Sequence, residues 1–297
     1  MEDALLFDDP ATLELRPATR LIAPWWHTVA VLLVIATWGI LSGTRKHSYI
    51  GTPHAVTYLS MMLMSWMLFG SVIAGVLDRR AFFFATLRHR AQSFFADAGW
   101  GLAIYLGIYF SAFVILFVIF TGTMAYSHRI PGQTPQTSSQ TDSSTTTPLP
   151  PPAPTANGSF TSLTKSHLQF DSKTAQAIAP KTWIDLLLWL CVSCTAGFCE
   201  EHIFRGYLLT QAIAFASRTG MSRLLSIGLS VIATSLIFGS LHLYEGTGGA
   251  LIITALGIVY SVLALKFGNL RAVIAAHFLQ DFCAGVFLFF FHARLAH

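Results

Sequence analysis

The sequence predicts an all-α, polytopic transmembrane helix bundle of about eight (seven to eight) spans. Two observations lead there. Of the 297 residues, 54% are hydrophobic and only 11% are charged, with a mean hydropathy of +0.59. A soluble chain would carry about 25% charged residues, so the surface itself must be apolar. The apolar residues, 24 phenylalanines among them, also gather into long runs. A hydrocarbon core about 30 Å thick needs roughly 20 residues of helix, and these runs supply them.

The chain opens on an acidic stretch, Glu2 to Glu14, and the first apolar run begins only near Trp25. A signal peptide would start basic and turn apolar sooner, so the run at 24–43 is expected to stay as an anchor. A second span is expected at 55–77. Between Arg79 and Asp97, Arg79, Arg80, Arg88 and Arg90 interleave with Phe82, Phe83, Phe84, Phe94 and Phe95. That reads either as an amphipathic helix in the headgroup plane or as a basic loop with buried aromatics. Its arginines, with Arg16 and Arg20, predict a cytoplasmic N-terminus in a multi-pass plasma-membrane protein.

A third span at 98–121 closes the N-terminal region, 1–121. Residues 122–181 are rich in Ser, Thr and Pro, with Thr145-Thr146-Thr147 before Pro148, Pro150, Pro151 and Pro152. Such composition cannot offset the entropy of ordering and predicts a disordered loop. Asn157-Gly158-Ser159 within it matches a glycosylation acceptor. The third region, 182–297, holds apolar runs at 183–217, 224–243, 249–267 and 272–292. The first of these is too long for one simple span. It is expected to be two short helices broken near Gly197 or one long tilted helix.

The net charge is +4 and the isoelectric point about 9.0. The basic residues fall mostly between apolar runs, where the bilayer accounts for them, and nucleic acid is not an expected partner. Cys191, Cys194, Cys199 and Cys283 lie in apolar runs with no second ligand pair nearby, and read as small packing residues.

Ionisable groups inside a bilayer are costly and face a cavity or a partner. Glu200-Glu201-His202-Ile203-Phe204-Arg205-Gly206 places Glu201 and Arg205 four apart, close enough to pair on a helix. Glu200 points about 100° away with no basic neighbour in sequence, free to take a proton from water. The bland reading is a solvated helix end. Phe238-x-x-x-His242 ends a span, where a single histidine is more often interfacial. His277 and Asp281, four apart in the last span, can hydrogen-bond, either to orient a working imidazole or merely to hold helices together. Lys181 and Asp185 read as an interfacial cap. Together, one carboxylate base and two imidazoles suffice to activate water against an amide, and could alternatively hold a divalent metal such as zinc.

Glu200-Glu201-x-x-x-Arg205, Phe238-x-x-x-His242 and His277-x-x-x-Asp281 follow, in order, the three motifs of the CPBP intramembrane endopeptidases (CAAX proteases and bacteriocin-processing enzymes). The chain resembles that family over about 183–290, and Glu-Glu-x-x-Phe-Arg-Gly-Tyr-Leu is similar to its bacterial members. The resemblance implies a helical membrane fold with a water-accessible intramembrane site and a peptide or membrane-protein substrate. It implies Glu200 as the water-activating base, Glu201 and Arg205 as its supporting pair, and His242 and His277 as electrophiles. The last motif usually ends in Asn, which can donate to an oxyanion where an ionised Asp281 cannot. Asp281 is therefore expected to orient His277 or to stay protonated. Other readings of the same residues are a non-proteolytic scaffold or bacteriocin-immunity protein and a proton-coupled transporter. For a shared site, His242 and His277 must come within about 8 Å of each other and of Glu200. Simple span boundaries would instead put the two histidines at opposite membrane faces.

Overall fold

The structure is a computed structural model, and it describes residues 21–44, 51–87, 94–127 and 172–295. The acidic N-terminal stretch, Arg16, Arg20, Arg88, Arg90 and the Pro-rich run with Asn157 lie outside the described residues. The elements are α1 (Trp25–Thr44), α2 (His54–Gly75), α3 (Arg79–Leu87), α4 (Phe94–Ser127), α5 (Ser172–Ile178), α6 (Trp183–Glu201), a π-helical segment (His202–Leu208), α7 (Leu209–Ser217), α8 (Arg223–Ser240), a 3-10 turn (Leu243–Glu245), α9 (Thr247–Phe267) and α10 (Arg271–Leu295). α4 runs on to Ser127 and α5 begins at Ser172, both inside the stretch read as the Ser/Thr/Pro-rich loop.

The all-helical fold is as the composition requires. Among the described residues, six helical stretches are long and apolar enough to cross a membrane: His54–Gly75, Phe95–Ile115, Trp183–Ser217, Arg223–Ser240, Thr247–Phe267 and Arg271–Phe291, with Trp25–Leu41 a shorter seventh. Leu33, Ile40, Leu63, Met67, Leu187, Leu224 and Leu251 point outward, the arrangement of side chains solvated by lipid rather than water. This is an integral multi-pass membrane protein.

The chain forms two compact units, one of residues Met1–Tyr105 with His167–His297 and one of Leu106–Ser166. In the second, the described part is the latter stretch of α4, with Phe110, Phe113 and Phe117 exposed. The first is built around the 35-residue helix Trp183–Ser217. At 1.5 Å per residue it is about 52 Å long, well beyond the hydrocarbon core. Thr182 and Asp185 start it with a reciprocal capping box. Gly197, where a break was expected, is a packing point instead. A Cβ there would lie 3.1 Å from Ile274 O and Phe278 N of the antiparallel α10.

The irregularity comes five residues later. In His202–Leu208 the helix widens to π geometry, and Leu209 N–H donates to Phe204 O. A π-bulge inserts one residue and so turns the face that follows by about 100°. Upstream, Gly197 and Glu201 face α10; downstream, Tyr207 and Gln211 face the N-terminal segment. All seven π-segment residues are buried. The segment before α4 also differs from a helix lying free in the headgroup plane. Phe82, Ala85 and Thr86 of α3 are buried, Phe82 and Thr86 close on Gly206, and Thr86 O accepts from Leu270 N at 2.8 Å.

Candidate active site

Glu201 and Arg205 are fully buried and pair as their spacing requires, with Arg205 Nη1 donating to Glu201 Oε1 at 2.9 Å. The guanidinium lies 4.4 Å above the Phe238 ring and 5.7 Å from that of Tyr260, and Nη2 reaches Gly257 O at 3.4 Å. Stacking on aromatic faces is how a planar cation is held where water cannot follow.

Glu201 has a second task that its spacing did not reveal. Its Oε1 also meets His277 Nδ1 at 2.8 Å. The two helices are antiparallel and each side chain leans toward its own helix N-terminus, so these two lean toward each other. A carboxylate accepts only, so His277 Nδ1 carries the proton and Nε2 faces the open side. There it stands 3.4 Å from Asp281 Oδ2 and 3.9 Å from Glu200 Oε2. Asp281 thus contacts His277 at Nε2, while Glu201 holds the ring more closely at Nδ1. Asp281 is itself fixed through its backbone, whose carbonyl accepts from Trp189 Nε1 at 2.9 Å.

His242 is held in the same sense. Its Nδ1 lies 3.0 Å from Phe238 O, and a carbonyl can only accept, so Nδ1–H points inward and Nε2 outward. The Phe238 ring lies between the two imidazoles, 5.0 Å from His242 and 6.2 Å from His277. The two histidines share the Phe238 ring as a neighbour, which keeps them from opposite membrane faces. Ser235 and Phe238 pack on Gly257, and Tyr260, one turn further, meets His277 and donates to Gln280 Oε1 at 2.8 Å.

Glu200 is the carboxylate left over. Its Oε2 is buried without a hydrogen-bond partner among the described residues. Its side chain keeps 23% exposure and that of Asp281 30%, against 0% for Glu201 and 1% for Arg205. The paired ions are sealed and the unpaired carboxylate is reachable. Nothing in the sequence marked Phe238 as the common wall of the site beyond its i,i+4 spacing to His242, and nothing marked Tyr260. Lys181 and Asp185 take the capping role expected of them, and Asp185 also pairs with His54 at 3.0 Å.

Residues 182–283 match the family model described as type II CAAX prenyl endopeptidase Rce1-like. That stretch of the chain is similar to the Rce1-like family. Glu200, Glu201, Arg205, His242, His277 and Asp281 all fall within it, consistent with the CPBP resemblance. No curated protein and no solved structure matches the chain. The donor set fits a metal poorly. Among the described residues no three His, Cys, Asp or Glu side chains converge on a point where an ion could sit. His277 offers Nε2 to two carboxylates instead.

Proposed function

We propose that the Rce1-like domain is an intramembrane endopeptidase in which Glu200 activates a water molecule against a peptide bond. The observation that carries this is the unpartnered Oε2 of Glu200, 3.9 Å from His277 Nε2. That gap is too long for a hydrogen bond and is what one bridging water would span. In this reading Glu200 takes the proton as the water oxygen attacks the carbonyl carbon, and later passes it to the leaving amine. The oxyanion that forms is met by Nε2–H of His242 and His277 in their doubly protonated state, since Nδ1 of each is engaged elsewhere. Glu201 and Arg205 fix His277, and Asp281 stands where it can accept from His277 Nε2–H.

The substrate is a membrane-associated peptide or protein, of CAAX or bacteriocin-leader type. It enters where Asp281 and Glu245 lie half-exposed, toward the end of the bundle at which α6 begins. The test is purified protein in detergent or liposomes with a peptide library read by mass spectrometry. Wild type should yield discrete cleavage products that Glu200→Ala does not. Identical product spectra for the two proteins would refute the reading and favour a non-proteolytic scaffold.

A further inference from the structure

His242 poses a requirement that the three motifs do not meet. Because its Nδ1–H is committed to Phe238 O, Nε2 can donate to an oxyanion only when the ring holds a second proton. An imidazolium on a half-buried turn needs a counter-charge. Arg205 already occupies Glu201, and Asp281 Oδ2 faces His277. Glu200 is an anion before attack but becomes neutral on taking the proton of water, its charge passing to the oxyanion, so only a separate carboxylate stays beside His242 throughout the step.

One carboxylate is left. Glu245 ends the 3-10 turn that His242 leads into, and its N–H donates to His242 O at 2.9 Å. In 3-10 geometry residues three apart eclipse, which sets both side chains on one side of the turn. Gly249 makes room for the carboxylate: a Cβ there would lie 2.8 Å from Glu245 Cβ and 3.4 Å from Oε2. Glu245 so folds back beside the first turn of α9, the end at which the helix dipole favours an anion. We propose, resting on the peptidase reading above, that Glu245 is a positioning residue, the counter-charge that pairs with doubly protonated His242 while the oxyanion forms.

Among the described residues, the other ionisable groups around the His242–Glu245 turn are Glu200 on α6, Asp281 on α10, Tyr244 in the same turn, and His277 across the Phe238 ring. The one ionisable side chain of the described α1, which packs on the turn through Gly39 and Leu241, is His27, and it is engaged by Tyr207. Burial pushes the Glu245 carboxyl above the usual carboxylate range, with the Asp281 charge adding to this. His242 and a hydrogen bond from Tyr244 pull it down. The anion of Glu245 and the cation of His242 therefore favour each other.

The experiment compares wild type, Glu245→Gln and Glu245→Asp as full chains on a peptide that wild type cleaves, across pH. Glu245→Gln should lower kcat about tenfold, the worth of one charge-assisted pairing, with KM within about twofold. The alkaline limb of kcat/KM should move to lower pH, and Glu245→Asp should restore most of both. Unchanged kcat and limb in Glu245→Gln would overturn the proposal. So would equal losses in both variants accompanied by a lowered Tm, which would mark a folding role. If no peptide is cleaved, the peptidase reading fails separately. NMR titration of the His242 ring then decides the pairing, expected to shift to lower pH in Glu245→Gln and overturned by no shift.

Discussion

Two polar clusters hang on the same long helix, barely two turns apart, and they differ in how completely their hydrogen bonds are satisfied. Below the π-segment, Gln211 takes Ile22 N–H at 3.0 Å on its carbonyl and gives its amide hydrogens to Ala23 O at 3.0 Å and Thr28 Oγ1 at 2.7 Å. Thr28 meets Tyr207 OH at 3.1 Å, Tyr207 meets His27 Nδ1 at 2.7 Å, and His27 Nε2 meets Ser71 O at 3.0 Å. With the ring neutral and its proton on Nε2, every donor in this circuit has an acceptor. Gly75 leaves space for the His27 ring, on which any Cβ would fall. In the other cluster, in the π-segment and just before it, Glu200 Oε2, Glu201 Oε2 and Arg205 Nε are buried with no partner among the described residues. A saturated network holds a fold together, whereas an unsaturated one keeps capacity for a ligand, a water or a proton.

The comparison can be broken by exchanging the consequences of mutation. The largest expected effect is on activity: Glu200→Gln should reduce cleavage at least about 10²-fold, the low end for losing a general base, while Tm changes little. A matching fall in Tm would put Glu200 among the scaffold residues. Next is Arg205→Met, which leaves the buried Glu201 anion with only His277 as a partner and should cost about 3–5 kcal/mol of stability, read by thermal unfolding in detergent. Loss of activity at unchanged Tm would mean that the ion pair is not structural. Tyr207→Phe should cost about 1–3 kcal/mol by leaving His27 Nδ1 and the Thr28 hydroxyl hydrogen without partners, with kcat per folded molecule near wild type.

Part of this was legible beforehand. Apolar runs expected at 24–43, 55–77 and 272–292 correspond to Trp25–Thr44, His54–Gly75 and Arg271–Leu295, because lipid demands length and hydrophobicity that no other signal imitates. The Glu201–Arg205 pair was legible for the same reason, as i,i+4 spacing is local. What was hidden is non-local. His277 looked like a partner of Asp281 four residues away, yet its shorter bond is to Glu201, 76 residues distant. Gln211 and Tyr207 gave no sign of partners 180 or more residues away. Gly197 looked like a breaker but is a contact, and the π-segment has no composition of its own to announce it.

The smallest expected effect concerns pH. The Glu245 carboxyl is raised by burial, so what it contributes to stability is present below the ordinary glutamate range and is lost as pH rises through its raised value. Glu245→Gln should therefore gain Tm over wild type on the alkaline side and lose that gain in acid. A difference independent of pH would contradict a carboxyl raised by its partly buried setting.

The central claim is that a glutamate, not a metal ion, activates the water. Its most direct measurement is the initial rate of cleavage of one confirmed peptide by wild type and Glu200→Gln, each before and after exhaustive chelation. The expected result is a wild-type rate indifferent to chelator and a rate near background for Glu200→Gln under both conditions. A wild-type rate abolished by chelator and restored by added zinc, or a Glu200→Gln variant that cleaves as wild type does, would contradict it.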